Sequence, residues 1–145
     1  MQTDQNYQNH RRYIPLYHFI TPGLAGAALL LSAFKLYKAV THERFYYIAM
    51  VLLIVSAVLI LLWWYSRSFA LKAQNRAIRA EENFRHYILT GKTLEKKLNM
   101  GQIVALRFAG DEEFPALAKK AADENLESDE IKKAIKNWKA DYDRA

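Results

Sequence analysis

The chain has 145 residues, with 21 Lys and Arg against 15 Asp and Glu for a net charge of +6, and it contains no cysteine. The missing thiols exclude disulfides and thiolate metal or redox sites. A mean hydropathy of -0.19 would suit a soluble protein, but the apolar residues are gathered into two blocks, which is the pattern of a membrane protein with a polar remainder.

Residues 1–18 begin polar and turn basic, then aromatic, an order unlike a cleavable leader, so a retained cytoplasmic segment is expected. The first apolar block predicts a span over about residues 19–40, with Pro22 tolerable in the first helical turn. Lys35 and Lys38 lie near its far end, where their stems run along the helix and the ammonium groups reach the headgroups. Thr41 to Arg44 form so short a connection that the next span must be an antiparallel neighbour. That second span, residues 45–65, reads FYYIAMVLLIVSAVLILLWWY and holds no charge, Gly or Pro. At ~1.5 Å per residue it crosses the ~30 Å hydrocarbon core of a bilayer. Gly23, Gly26, Ala27, Ala33, Ala49, Ser56 and Ala57 offer small surfaces for close packing of the two spans.

Residues 66–90 are charged, keep a helical period and meet no breaker before Gly91, so one long helix is expected to leave the membrane as a juxtamembrane amphipathic helix. Ala70, Ala73, Ala77, Ala80, Phe84 and Tyr87 recur at alternating three and four spacings, a seam suited to a partner helix. Arg67, Lys72, Arg76 and Arg79 supply positive charge for anionic headgroups.

Residues 91–145 predict a small helical cytoplasmic lobe. A helix from Leu94 into Ala109 is expected, then one capped by Asp111 with Glu112 and Glu113 in its first turn, then one capped by Ser128. In the last, Ile131, Ile135, Trp138 and Tyr142 would form an apolar stripe. Arg107, in the apolar string IVALRFAG, is the candidate for a structural ion pair with the acidic turn at Asp111 to Glu113.

Charge orients the chain. Arg11, Arg12, Arg67, Lys72, Arg76 and Arg79 flank one side of the spans, against Arg44 with Lys35 and Lys38 on the other, so both termini are expected in the cytoplasm. Tyr13, Tyr17 and Trp63 to Tyr65 mark that interface, and Phe34, Tyr37 and Phe45 to Tyr47 the opposite one. Residues 1–110 carry 14 basic and 5 acidic side chains and the rest 7 and 10, so the distal end is acidic. A nucleic-acid surface would have to be built against the bilayer, and no nucleic-acid partner is expected.

No motif points to catalysis or a cofactor. Gly91, Lys92 and Thr93 spell GKT, but a phosphate loop requires a glycine where His86 stands. His10, His18, His42 and His86 are dispersed, and the second span has no histidine to share a haem, so interface or solvent positions are expected for them.

At NHRRYIPLYH, FALKAQNRAIRAEENFRHYILTGK, IVALRFAGDEEFPALAKKA and IKKAIKNWKADY the chain resembles a family of small bacterial two-span membrane proteins of unknown function. The resemblance implies an all-α architecture, a hairpin followed by a helical cytoplasmic lobe, and brings no activity. The expectation is therefore a non-enzymatic multi-pass protein of the bacterial inner membrane, whose lobe binds a protein partner or self-associates. The alternative is a small holin-like pore. A third reading, an enzyme using Arg107 and the acidic turn, would require Arg107→Ala to abolish a phenotype without altering the fold.

Overall fold

Pro22 has no amide to return to the carbonyl of His18, and the backbone ahead of it takes a wide π-helical turn, Leu16–Ile20, in which the Thr21 hydroxyl and amide both donate to the Leu16 carbonyl. Helix α1 follows over Thr21–Thr41 and α2 over Tyr46–Thr90. This computed structural model describes residues 5–10, 13–42 and 46–142. Glu43, Arg44 and Phe45, expected in the tight connection and at the interface, lie outside the described residues, as do Arg11 and Arg12. Among the described residues the secondary structure is all-helical, with no strand; α3 is Met100–Leu106, α4 Phe114–Glu124 and α5 Ser128–Ala134.

Two helical stretches, Leu16–Thr41 and Tyr46–Thr90, are long and apolar enough to cross a membrane. The chain divides into an apolar unit, Tyr13–Ala70, and a terminal unit assembled from both ends, Met1–Arg12 with Leu71–Ala145. The expected N-terminal segment is thus shared between the two.

Within the apolar unit, the buried serines are satisfied locally. Ser32 donates to the Ala28 carbonyl at 2.7 Å and Ser56 to Leu52 at 2.8 Å, each bond staying in its own helix. Tyr17 and Trp63 exchange hydrogen bonds, the phenol donating to the Trp63 carbonyl at 2.9 Å and the indole to the Tyr17 carbonyl at 3.0 Å. Ser32, Ala49 and Ser56 are the buried small residues, whereas a Cβ on Gly23 or Gly26 would meet nothing, so the expected small surface is only partly used. Lys38 places its ammonium 4.8 Å over the Phe34 ring.

In the terminal unit, α2 ends where expected. Gly91 has φ 73°, the left-handed conformation that suits glycine, and its amide donates to Tyr87. Asn83 then accepts from the Leu94 amide and turns the chain back along α2. The helix expected from Leu94 is confined to α3, because Asn99 and Gln102 form a reciprocal capping box that fixes its start. Gly101 belongs to that first turn, and a Cβ there would stand 2.7 Å from the Ser128 hydroxyl, so a side chain at 101 would require that hydroxyl to turn away. The Gln102 side chain, nearly fully buried, also donates to the Leu126 carbonyl and fastens α3 to the α4–α5 connection.

Three sequence expectations are corrected here. Glu113, not Asp111, precedes the first residue of α4, and its carboxylate accepts from the Lys136 and Asn137 amides at 3.1 and 2.9 Å rather than serving the helix dipole. Glu127, not Ser128, caps α5, in a capping box with Glu130. The stripe Ile131, Ile135, Trp138, Tyr142 leaves the helix after Ile131: Ile135 is extended, and the tail pairs antiparallel with the segment that follows α3, the Gly110 amide donating to Asn137 and the Lys139 amide to Phe108. This pairing stacks Trp138 on Phe108 at 4.7 Å. The core gathers Ile78 of α2 with Leu94, Leu98, Ile103, Leu106, Phe114, Leu117 and Ile131, while Leu126 and Ile135 pack against it partly buried.

Candidate functional site

The polar centre of the terminal unit is built on two arginines. Arg107 is buried and binds Asp141 at 2.8 Å, so its carboxylate partner comes from the tail and not from the acidic turn at Asp111 to Glu113. That turn is held instead by Arg85 of α2. The Arg85 guanidinium donates to Asp111 at 2.7 Å, to Glu82 at 3.1 Å and to the Ala109 carbonyl at 2.6 Å, and stacks 4.3 Å over the Phe114 ring. A planar fork with several donors is what lets one side chain serve a carboxylate pair, a carbonyl and an aromatic face together. Sequence reasoning missed Arg85. The signal was its place three residues after Glu82 and seven after Ile78, a line on the side of α2 away from the alanine seam.

Between these clamps lies a cleft of about 330 Å³, walled by Glu81, Glu82, Arg107, Lys139 and Asp141 among others. Glu82 and Arg107 are buried, and each is engaged in an ion pair, which suits a structural tie better than proton transfer. Among the described residues no three His, Asp or Glu side chains gather to hold a metal ion.

The N-terminal segment docks on the same unit. Gln5 donates to the Asp141 carbonyl at 3.0 Å and accepts from the Asp141 amide at 2.8 Å, copying a strand pairing with one side chain. His10 is buried beside Phe108 and Trp138, with Nδ1 2.7 Å from the Tyr7 carbonyl. His86 is also engaged, its Nδ1 2.6 Å from the Lys92 carbonyl and its ring edge-on to Phe114. The solvent or interface positions expected for the histidines therefore do not hold for these two.

The residues expected at the membrane and at a partner helix remain on the surface. Lys72, Arg76 and Arg79 are exposed and Arg67 is half-buried. Ala70, Ala73, Ala77, Ala80, Phe84 and Tyr87 are all exposed; the terminal unit packs on α2 through Ile78, Glu82 and Arg85, and of the seam only Ala77 reaches the rim of the cleft. Lys97 makes an exposed triad with Asp123 at 3.0 Å and Glu95 at 3.3 Å. The hydrogen bond from Lys97 holds the Asp123 carboxyl below its ordinary value, and the same bond raises Lys97.

A model of the family of unknown function DUF6526 matches residues 1–145. The chain belongs to this family. No curated protein and no solved structure matches it. Membership in DUF6526 brings no assigned chemistry, so function must be argued from the arrangement itself.

Proposed function

We propose that the chain is a non-enzymatic, two-span protein of a bacterial inner membrane, in which a helical hairpin anchors a cytoplasmic lobe that binds a protein partner or a second copy of the chain. The observation that carries the reading is the outward orientation of the apolar unit: Leu24, Leu30, Leu31, Ile48, Leu62 and Trp64 are each at least 60% exposed. Side chains of this size turned away from their own unit call for an apolar solvent, and helices that satisfy their backbone internally are the elements a bilayer accepts.

The grouping of both chain ends in one unit supports an even number of crossings, because residues before the first span and after the second must meet on one side. The Lys and Arg distribution favours the cytoplasm as that side, with Arg67, Lys72, Arg76 and Arg79 near anionic headgroups. Within the lobe, the ionisable groups of the cleft are occupied in holding the fold, which leaves the exposed face of α2 as the surface for a partner.

Alkaline washing of native membranes should leave the chain in the pellet, and a reporter fused after Ala145 should be active only in the cytoplasm. Affinity purification in mild detergent should recover an oligomer or a stoichiometric partner. Release by alkali, or a monomer with nothing bound, would overturn the reading.

A further inference from the structure

Phe84, Tyr87 and Ile88 are 65, 55 and 66% exposed on one face of α2, with Ala73, Ala77 and Ala80 continuing that face toward the N-terminal end of the helix. Three large apolar side chains so close together on a water-facing helix are uncommon without a partner. Positions 73, 77, 80, 84 and 87 alternate four and three, the spacing of a two-stranded coiled-coil seam. The flanks decide what fits. In this repeat Arg76 stands on one shoulder of the seam and Glu81, five residues on, stands on the other, exposed at the rim where the cleft meets that shoulder. Neither makes an ion pair among the described residues.

When two such helices pack parallel and in register, the first shoulder of one meets the second shoulder of the other five residues further along. Arg76 then faces Glu81 of the second copy, and the two-fold axis repeats the pair. An antiparallel arrangement sets like shoulders together, so Arg76 meets the shoulder that carries Arg76 and Glu81 the shoulder that carries Glu81, and both pairs are lost. We infer that the α2 face bearing Phe84, Tyr87 and Ile88 is the docking surface for a second copy of this chain, packed parallel, with reciprocal Arg76–Glu81 ion pairs fixing the register. This rests on the membrane-anchored reading above and names the occupant of its free surface. Two copies inserted in the same direction into one bilayer have no choice but to run parallel.

The chain contains no cysteine, so a single introduced thiol reports its neighbours without background. In native membranes holding the full chain, Ala80→Cys on the seam should form a disulfide-linked dimer under mild oxidation, and Arg79→Cys, exposed but off the seam, should not. Arg76→Glu and Glu81→Arg should each weaken self-association roughly tenfold, since each change turns two attractive pairs repulsive. The double swap should return it to within about twofold of the original. Helix content measured by circular dichroism should be the same for all of these variants, as the altered side chains are exposed.

Equal cross-linking at both thiols, or a double swap no better than either single change, would overturn the parallel pairing. A heavier adduct at Ala80→Cys containing a different protein would overturn the second copy while leaving the partner-binding reading intact. Loss of the chain from alkali-washed membranes would instead defeat the membrane reading, so the two failures are told apart.

Discussion

Leu30, Leu31, Ile48 and Leu62 in the apolar unit are each at least 60% exposed, whereas Leu106, Phe114 and Ile131 in the terminal unit are fully buried. The side-chain types are alike, and what separates the two regions is where their polar groups go. Helices α1 and α2 return the Ser32 and Ser56 hydroxyl bonds to their own backbone, and Tyr17 of the π-helical turn trades bonds with Trp63 of α2. The terminal unit sends polar side chains across its core: Gln102 to Leu126, Glu113 to the tail amides, Arg85 to Ala109. A region that satisfies itself locally can leave its apolar surface to the solvent. A region whose short helices are tied by cross-links must bury that surface to exist in water, since helices of seven residues have little stability alone.

The sharpest way to break this contrast is a large-to-small change in each region. Phe114→Ala should cost the terminal unit ~3–5 kcal/mol, read as a fall in the denaturant midpoint, because it empties a fully buried site under the Arg85 guanidinium. Leu59→Ala, at a half-exposed position, should change the same midpoint by less than ~0.5 kcal/mol. Next in size is Arg85→Met, expected to cost about 3 kcal/mol by stranding the buried Glu82 carboxylate, with Glu82→Leu in the same chain recovering most of the loss.

The all-helical character and the extent of the longest helix were legible in the sequence, because they are decided locally. The uninterrupted run to Thr90 and the glycine stop at Gly91 each depend on residues within a few positions. The failures share one cause. Ile135, Trp138 and Tyr142 have helical spacing, yet the Glu113 carboxylate and the edge of Phe108 capture the tail backbone first. Arg107 was recognised as a pairing arginine, but its partner Asp141 lies far along the chain, while the nearer acidic turn goes to Arg85. His10 reads as part of a polar tail until Phe108 and Trp138 are brought together to receive it.

Smaller effects test these distant ties. Gln5→Ala should cost about 1 kcal/mol, and should raise amide hydrogen exchange at Asp141 and the neighbouring tail while α4 stays protected. The smallest change is expected at the exposed Lys97–Asp123 pair. Because the Asp123 carboxyl is depressed, its contribution is complete above its ordinary value of 3.8 and is lost as the pH falls through the lowered folded value. Lys97 is raised, so its share is complete below 10.5 and disappears as the pH climbs through the higher folded value. Asp123→Asn should lower the melting temperature slightly at neutral pH and leave it unchanged in strong acid, where the carboxyl is already neutral, so the acid limb of the profile flattens.

The Gln5 bridge to Asp141 also sets an order of events. Gln5 leaves the ribosome 136 residues before the backbone it grips, and the Trp138 ring that covers His10 is made almost as late. Until residues 138–141 are made, Gln5 and His10 therefore have no seat in the terminal unit. Closure of so wide a loop is slow compared with the turn-by-turn growth of α2. A pulse-labelled nascent chain should accordingly acquire protease resistance around Tyr7 and His10 only after Trp138 and Asp141 have left the ribosome.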